Sequence, residues 1–376
     1  MAEMNNSTRR NLVISLCGTS ILTNRSNVET RELISRHANQ TDGGAIPETD
    51  RKTLEQRILA AMDSLSSVKV EEAAKVSAEL NAITSFYGKQ LAAGRGDHHL
   101  LMCSDTWLGE QAAELVRNWL TEHGLTVELH KQSDLQTGDM TAFQLALSDM
   151  VKVLSDMSDK YRDSGYHVVF NLTGGFKSVQ GFMQTLAMIY ADESVYIFES
   201  GGELLRIPRL PLKLSAQNEL RKHLPVFRRL QMNLSLMHGE LTDVSNIFYL
   251  NLGQEYAFSA WGEIIWRQHK REIYGEKVWP SFSNKVEFGT RFLKSVQLLP
   301  EHRMYEINKK IDDLTRVLEK GESYNVKSLD FKPLSGNPVP GSTHELDAWH
   351  DQDAKRLYGH FEGEMFVLDK LGKALH

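Results

Sequence analysis

The chain has 376 residues, 41% hydrophobic and 24% charged, with 43 Lys+Arg against 49 Asp+Glu and a formal net charge of −6. That length allows two or three domains with ordinary cores, and the acidic balance restricts any nucleic-acid contact to a local patch. No run of about 18 apolar residues occurs, so no membrane-spanning helix is expected, and MAEMNNSTRR lacks a secretory segment, which predicts a cytoplasmic protein.

In chain order, NLVISLC (11–17) is an apolar run ended by Gly18-Thr19-Ser20, a buried strand with a small-residue turn after it. Two helices are expected over 50–92, the second from about Val70. HHLLMC (98–103) predicts a strand closed by Ser104-Asp105-Thr106, and a helix runs from about Glu110 to Glu122. LTVELH (125–130) is a further strand, and a helix over about 142–163 leads to HVVFNLTGGFKSVQGFM (167–183). There a strand feeds Thr173-Gly174-Gly175 and a helix from about Phe176. SVYIFE (194–199) ends the series. Strands alternating with helices argue for an α/β domain with a mostly parallel sheet covered on both faces. The two cysteines, Cys17 and Cys103, lie in or beside apolar runs and read as buried thiols.

RIPRLPLKL (206–214) marks a boundary, after which the pattern is helical to about 280. The aromatics of YLNLGQEYAFSAWGEIIW (249–266) predict a core stripe, and Arg228-Arg229 and 267–271 predict solvated helix faces. From about Asn284 the character changes. KVEFG reads as a strand, 292–321 carries helical spacing broken at Pro300, and HELDAWH, KRLYGHFEG and EMFVLDKLG read as consecutive antiparallel strands. The expected domains are 1–211 (α/β), 212–283 (helical) and 284–376 (α+β with an antiparallel sheet).

Ligands of parallel α/β sheets sit beyond the carboxyl ends of the strands, so turns 18–20, 104–106 and 173–175 are expected at one edge. A glycine turn that opens a helix points backbone N–H groups and the positive helix end into one hollow, which suits a phosphate. Thr173 and Ser178 add hydroxyls there, and Lys177 adds a charge. The spacing is neither GxGxxG nor a P-loop. A tight turn with no ligand is the plain alternative.

With LCGTS and NLTGGFKS in these places, the N-terminal domain resembles CARF domains, Rossmann-like CRISPR-associated sensors of cyclic oligoadenylates. The resemblance implies a homodimer that cups one symmetric ring across its two-fold axis. It implies no cofactor, and a cyclic oligoadenylate acts as allosteric activator, cyclic tetra-adenylate being the first expectation while the sequence leaves the ring size open. The binding residues on this reading are Gly18, Thr19, Ser20, Thr106, Thr173, Gly174, Gly175, Lys177 and Ser178. The C-terminal strand, two-helix hairpin and tail HELDAWHDQDAKRLYGHFEGEMFVLDKLGKALH resemble RelE-type toxins, ribosome-dependent mRNA endonucleases. In that family a YRV.Y strand supplies a catalytic arginine, and Lys355-Arg356-Leu357-Tyr358 stands in its place. Lysines after the second helix serve the family's site, which points to Lys327 and Lys332. Where a tyrosine often ends the last strand, this chain carries His376. The tail lacks the family's basic excess, with 14 Lys+Arg against 15 Asp+Glu from Asn284 onward. Together the halves resemble a CARF–RelE ribonuclease of type III CRISPR defence. That implies a metal-independent endoribonuclease whose partners are the ribosome and A-site mRNA, with a helical middle that docks on ribosomal protein.

RNA cleavage by its own 2′-hydroxyl requires removal of that proton, stabilisation of the phosphorane and protonation of the leaving oxygen. Arg356 is the expected charge clamp, helped by Lys327 and Lys332, while His344, His350, His360 and His376 are the candidates for moving protons. Strand alternation puts Arg356, Tyr358 and His360 on one side. A metal site from His344, Asp347, His350 and Asp351 matches no zinc spacing, and none is expected. The R-x4–6-H pattern of helical HEPN nucleases occurs in RDSGYH (162–167), which straddles a glycine turn and reads as coincidence. Rival readings are a ligand-binding regulator with an inactive C-terminal domain and a ring nuclease that degrades its own ligand.

Overall fold

A computed structural model describes residues 9–135, 138–175, 177–197, 203–211, 214–336 and 338–374. The chain is mixed α/β and divides into two compact units, Met1–Lys213 and Leu214–His376. Among the described residues no helix is long and apolar enough to cross a membrane.

In the first unit β1 (Asn11–Leu16), β2 (His98–Ser104), β3 (Thr126–Gln132), β4 (His167–Asn171), β5 (Glu193–Ile197) and β6 (Leu204–Pro208) form one sheet. Their order is β3-β2-β1-β4-β5-β6. The first five run parallel, and β6 lies antiparallel to β5. Helices cover both faces, so the central strands are buried on both sides and read as continuous apolar runs. Leu12, Val13, Ile14, Leu100, Leu101, Val168 and Val169 are all buried. Strand order turns back between β1 and β4, which makes their carboxyl ends the topological switch point.

Two local features depart from the sequence reading. The segment around 206–214 does more than mark a boundary, because Leu204–Pro208 is an edge strand with Pro208 opposite Glu193. An edge tolerates a proline that a central strand would reject. The helix expected from Val70 is two pieces, Val70–Ala73 and Ala78–Phe86. The second restarts because the Ser77 hydroxyl caps it, accepting from the backbone N–H of Glu79 and of Leu80. This restart sets Glu79 in a helical first turn.

In the second unit, the helices Leu224–Gln231 and Ala260–Glu276 pack around Phe227, Phe258, Trp266 and Tyr274, as the aromatic stripe predicts. Part of the supposed helical stretch is instead a hairpin, β7 (Tyr249–Asn251) and β8 (Tyr256–Phe258). Gly253, at φ +92°, supplies the left-handed turn residue between them. The remaining strands are β9 (Val286–Phe288), β10 (Lys332–Pro333), β11 (His344–Trp349), β12 (Lys355–Glu362) and β13 (Met365–Lys373). They form a sheet in the order β10-β11-β12-β13-β9. β11 to β13 are the expected meander, and β9 pairs parallel with β13. The helices Thr290–Val296 and Glu301–Lys320, separated at Pro300, cover one face through Phe292, Ile311 and Leu314.

Arg228 and Arg229 are not on a solvated face. Arg228 is 1% exposed, and its Nε donates to Asp312 Oδ1 at 2.7 Å while Nη1 donates to the Pro280 carbonyl at 2.6 Å. The Tyr274 hydroxyl donates to the other Asp312 oxygen. Arg229 forks onto Glu319 at 3.1 and 2.9 Å. The stretch 267–271 is likewise only partly solvated. Arg267 pairs with Glu263, His269 is buried, and the Lys270 ammonium lies 5.0 Å from the Tyr274 ring centre. Burial pushes Lys270 down to about 8.

A buried pair that loses one member leaves a charge in a low-dielectric site, at a cost of about 3–5 kcal/mol. Asp312→Ala should therefore lower the unfolding free energy of the second unit, read from urea titration, by that amount. The double change Arg228→Met, Asp312→Leu should recover most of it.

Candidate functional site

The turns after β1 and β4 meet at the switch point, and the protein's own packing explains their glycines. A Cβ on Gly18 would stand 3.3 Å from the Gly175 backbone. Gly175 itself has φ +98°, and a Cβ there would lie 2.4 Å from the Leu16 side chain. At Gly174 a Cβ would come within 2.4 Å of the Glu79 carboxylate.

Glu79 is fully buried. Its Oε1 accepts from Gly18 N–H at 3.0 Å, and its Oε2 accepts from the hydroxyls of Ser20 and Ser77, both at 2.6 Å. Ser20 in turn accepts from Ala78 N–H at 3.0 Å. The Gly18 N–H and the Ser20 hydroxyl, expected to face a ligand phosphate, already donate to this carboxylate. Three donors satisfy the charge, which a buried carboxylate requires. Cys17, directly before Gly18, is buried, and burial followed by the nearby Glu79 charge raises its thiol well above the usual range. It stays protonated and inert.

Above this floor opens a cavity of about 920 Å³. Of the expected ligand residues, Gly18, Ser20, Thr173, Gly174, Gly175 and Lys177 line it. Thr19, Thr106 and Ser178 are not among the lining residues. Thr106 instead caps the helix Trp107–Glu122, its hydroxyl accepting from Gly109 N–H at 3.3 Å. The Thr173 hydroxyl accepts from Ile197 N–H at 3.1 Å and so ties β4 to β5. Lys75, Lys89, Asn81 and Gln180 also line the cavity. Asn81 lies in the helix Ala78–Phe86 and Lys75 and Lys89 in the turns before and after it, and no motif marks any of the three. Lys89 carries a visible oddity only in the fold, a left-handed φ of +66° directly after Gly88 at φ +55°. Against Lys75, Lys89 and Lys177 stand Glu71 and the internally satisfied Glu79, so the opening favours an anion.

Residues 74–210 match the model of a family described as CRISPR-associated protein (Cas_APE2256). The match supports a CRISPR-associated protein. It covers less than half of the chain but includes Lys75, Glu79, Lys89 and the whole 173–177 turn. No curated protein matches the chain.

In the second unit the residues expected to act together separate. Arg356 is held by three carboxylates: Asp330 at 2.8 Å, Asp347 at 2.9 Å, and Glu345. Lys332 also donates to Asp330, at 2.6 Å. Lys327 is exposed. His344 lies on the other face of the sheet, stacked on Phe331 at 5.4 Å with Phe361 and Phe366 at its edges. Burial lowers its pKa. His376 lies outside the described residues. His350, expected only as one of several proton carriers, meets Asp347 at 2.6 Å.

His360 shares the Arg356 face, as alternation requires. Its Nδ1 meets Asp369 at 2.9 Å and its Nε2 meets Glu362 at 3.1 Å, and Ser342 donates to the same Asp369 oxygen at 2.8 Å. Arg356 and His360 are four residues apart on an extended strand, roughly 13 Å. They do not converge on one phosphate in this arrangement. Among the described residues no group of three or more His, Cys, Asp or Glu is placed to hold a metal.

Gly175→Ala imposes a left-handed backbone on a residue with a Cβ and a clash with Leu16. It should destabilise the first unit by at least about 1–2 kcal/mol in thermal melts. Gly174→Val then reports on packing against Glu79, and Lys177→Ala is the cleaner probe of the cavity. The hydrogen bond to Asp369, then that to Glu362, raises the His360 pKa. Its contribution to stability is present in full below the unfolded value of about 6.5 and is lost as pH rises through the higher folded value. The melting-temperature gap between wild type and His360→Gln should therefore narrow from pH 6 to pH 9.

Proposed function

We propose that the strand-end cavity of the first unit is the sensor of a cyclic oligoadenylate and that ring binding governs an endoribonuclease activity of the C-terminal domain. The observation that carries the sensing half is the cavity itself. It lies at the switch point of a parallel sheet, and most of its lining, from Lys75 to Ile197, belongs to the stretch that matches a CRISPR-associated family. Lys75, Lys89 and Lys177 border a floor whose polar groups are already satisfied. A ring of phosphodiesters fits that chemistry, because its anionic oxygens meet ammonium groups while riboses and bases rest on Thr173, Asn81 and Gln180. On this reading the protein is a CARF sensor that acts as a homodimer, with one ring across the two-fold axis. The ring influences a separate domain only by favouring one arrangement of the two chains over another.

The ribonuclease half rests on the RelE resemblance, with Arg356 as phosphate clamp; His360, held by Asp369 and Glu362, stays among the candidates for proton transfer, and the two meet on one phosphate only after a rearrangement. A near-neutral tail binds loose RNA weakly, since backbone affinity comes from neutralised phosphates. Alignment of the 2′-hydroxyl therefore has to come from the ribosome, which holds mRNA in its A site. No metal enters the reaction on this reading.

A second reading is favoured by one observation. Arg356 is occupied by Asp330, Glu345 and Asp347, and the expected histidine, His344, sits on the opposite face. This fits a ring-binding regulator whose C-terminal domain does not cleave RNA. Ring nuclease activity, the third reading, would appear as ring loss.

One experiment separates them: protein, cyclic tetra-adenylate and translating ribosomes are incubated, mRNA ends are mapped and the ring is followed by chromatography. The ribonuclease reading expects new A-site ends only with ring present, lost in Arg356→Ala and in Lys177→Ala. Arg356→Ala should keep ring binding, whereas Lys177→Ala should weaken it at least tenfold. Ring binding without new ends selects the regulator. Ribosome-free cutting of naked RNA contradicts the RelE assignment.

A further inference from the structure

The opposite edge of the same sheet has a second cavity, of about 700 Å³, where β1, β4 and β5 begin. Arg9, Arg10, His167, Arg206, Phe86 and Tyr87 are among its lining residues. It stands a full strand length from the Gly18 turn, roughly 17 Å for five or six residues. We propose that this amino-edge cavity is an anion site for a terminal phosphate monoester on a nucleoside, whether a free mononucleotide or the 5′ end of an RNA.

The charge arrangement singles out two guanidiniums. Its two acidic lining residues, Asp97 and Glu193, are already answered. Asp97 accepts from Asn11 N–H at 2.7 Å, from Asn11 Nδ2 at 2.8 Å and from the Tyr87 hydroxyl at 2.8 Å, and is sealed into the floor. Glu193 pairs with Arg206 at 2.7 Å and lies 3.5 Å from His167. Arg9 and Arg10 have no carboxylate partner among the described residues, and both are exposed.

The backbone at the second of them is nevertheless fixed. The Arg10 carbonyl accepts from His167 N–H at 2.8 Å, which extends the β1–β4 pairing by one residue. The Arg10 guanidinium lies 4.5 Å over the Tyr166 ring, and that of Arg206 lies 4.8 Å over Phe86. A guanidinium laid flat on a ring keeps its N–H fork free at the edge. Such a fork matches two phosphate oxygens, and two adjacent arginines match the double charge of a monoester better than the single charge of a diester. A cavity of this size lies within the usual range for small-molecule sites, about 300–1,000 Å³, with room for a nucleoside beside Phe86 and Tyr87.

Arginines at a sheet's amino edge also neutralise helix C-terminal carbonyls. Arg162 does this for Tyr190 at 2.6 Å, and Arg9 reaches the Gly165 carbonyl at 3.5 Å. The test separates that role from ligand binding. Full-length protein is titrated by calorimetry with AMP, with a 5′-phosphorylated RNA trinucleotide, and with adenosine as the control. The proposal expects saturable binding of AMP, the RNA or both, with adenosine at least tenfold weaker. The double variant Arg9→Ala, Arg10→Ala should lose at least tenfold in affinity while Lys177→Ala loses none. Binding of AMP alone identifies a free nucleotide as the source, and binding of the RNA alone identifies an RNA end. If neither probe binds, if the double variant binds as wild type does, or if Lys177→Ala abolishes binding, the proposal is overturned and the arginines serve the helix ends. A double variant whose melting temperature falls below wild type is replaced by Arg9→Gln, Arg10→Gln, read against the same outcomes.

Discussion

The Glu79 carboxylate is buried at the point where the first unit's two central strands end, and a charge in that position must be fully hydrogen-bonded. Its three donors come from two separate pieces of chain: the Gly18 N–H and the Ser20 hydroxyl in the turn after β1, and the Ser77 hydroxyl before the helix Ala78–Phe86. The constraint propagates outward. Gly174 has no room for a side chain because the carboxylate is there, and Gly175 takes a left-handed φ to pass Leu16 and Gly18. The carboxylate also uses the positive start of its own helix, since an acid in a first turn is stabilised by the N–H groups there. The floor of the cavity is therefore rigid and already satisfied. An anion entering the cavity would meet Lys75, Lys89 and Lys177 above this floor rather than free backbone amides.

Paired charge governs the second unit as well. Arg228 and Asp312 join the helix Leu224–Gln231 to the long helix Glu301–Lys320, and Arg356 ties β12 to β11 through Glu345 and Asp347. In the first case the pairing is structural and permanent. In the second it occupies the guanidinium that RNA chemistry would need, in a cluster with more carboxylates than cations. An RNA phosphate entering there has to displace Asp330, Glu345 or Asp347 from Arg356, at a cost in desolvated negative charge that favours the unbound state. On the proposed ribonuclease reading, cleavage by this tail would require a rearrangement around β10 and β11, which the ribosome or the ring would have to supply.

The parallel sheet was legible because strands buried on both faces appear as unbroken apolar runs, and the meander because its strands are short and separated by polar turns. The strand-end turns were legible as a place, since every parallel strand delivers its carboxyl end to one edge. Their chemistry was less so. Glu79 looks like any acid in an amphipathic stretch, and nothing local announces that residues 18, 79 and 174 touch. Lys75 and Lys89 were missed for the same reason. Arg228 and Arg229 read as solvated because their partners lie 84 and 90 residues away. His344 failed by sidedness. It shares a strand face with Leu346, whose side chain belongs to the core, so the strand that carries it turns it away from Arg356.

Calorimetric titration of the full-length protein with rings of three, four and six adenylates decides whether the strand-end cavity binds a cyclic oligoadenylate. The account predicts saturable binding of cyclic tetra-adenylate at one ring per two chains, weakened at least tenfold by Lys177→Ala at an unchanged melting temperature. Failure of every ring to bind, or binding with undiminished affinity in Lys177→Ala and in the double variant Lys75→Ala, Lys89→Ala, would contradict it.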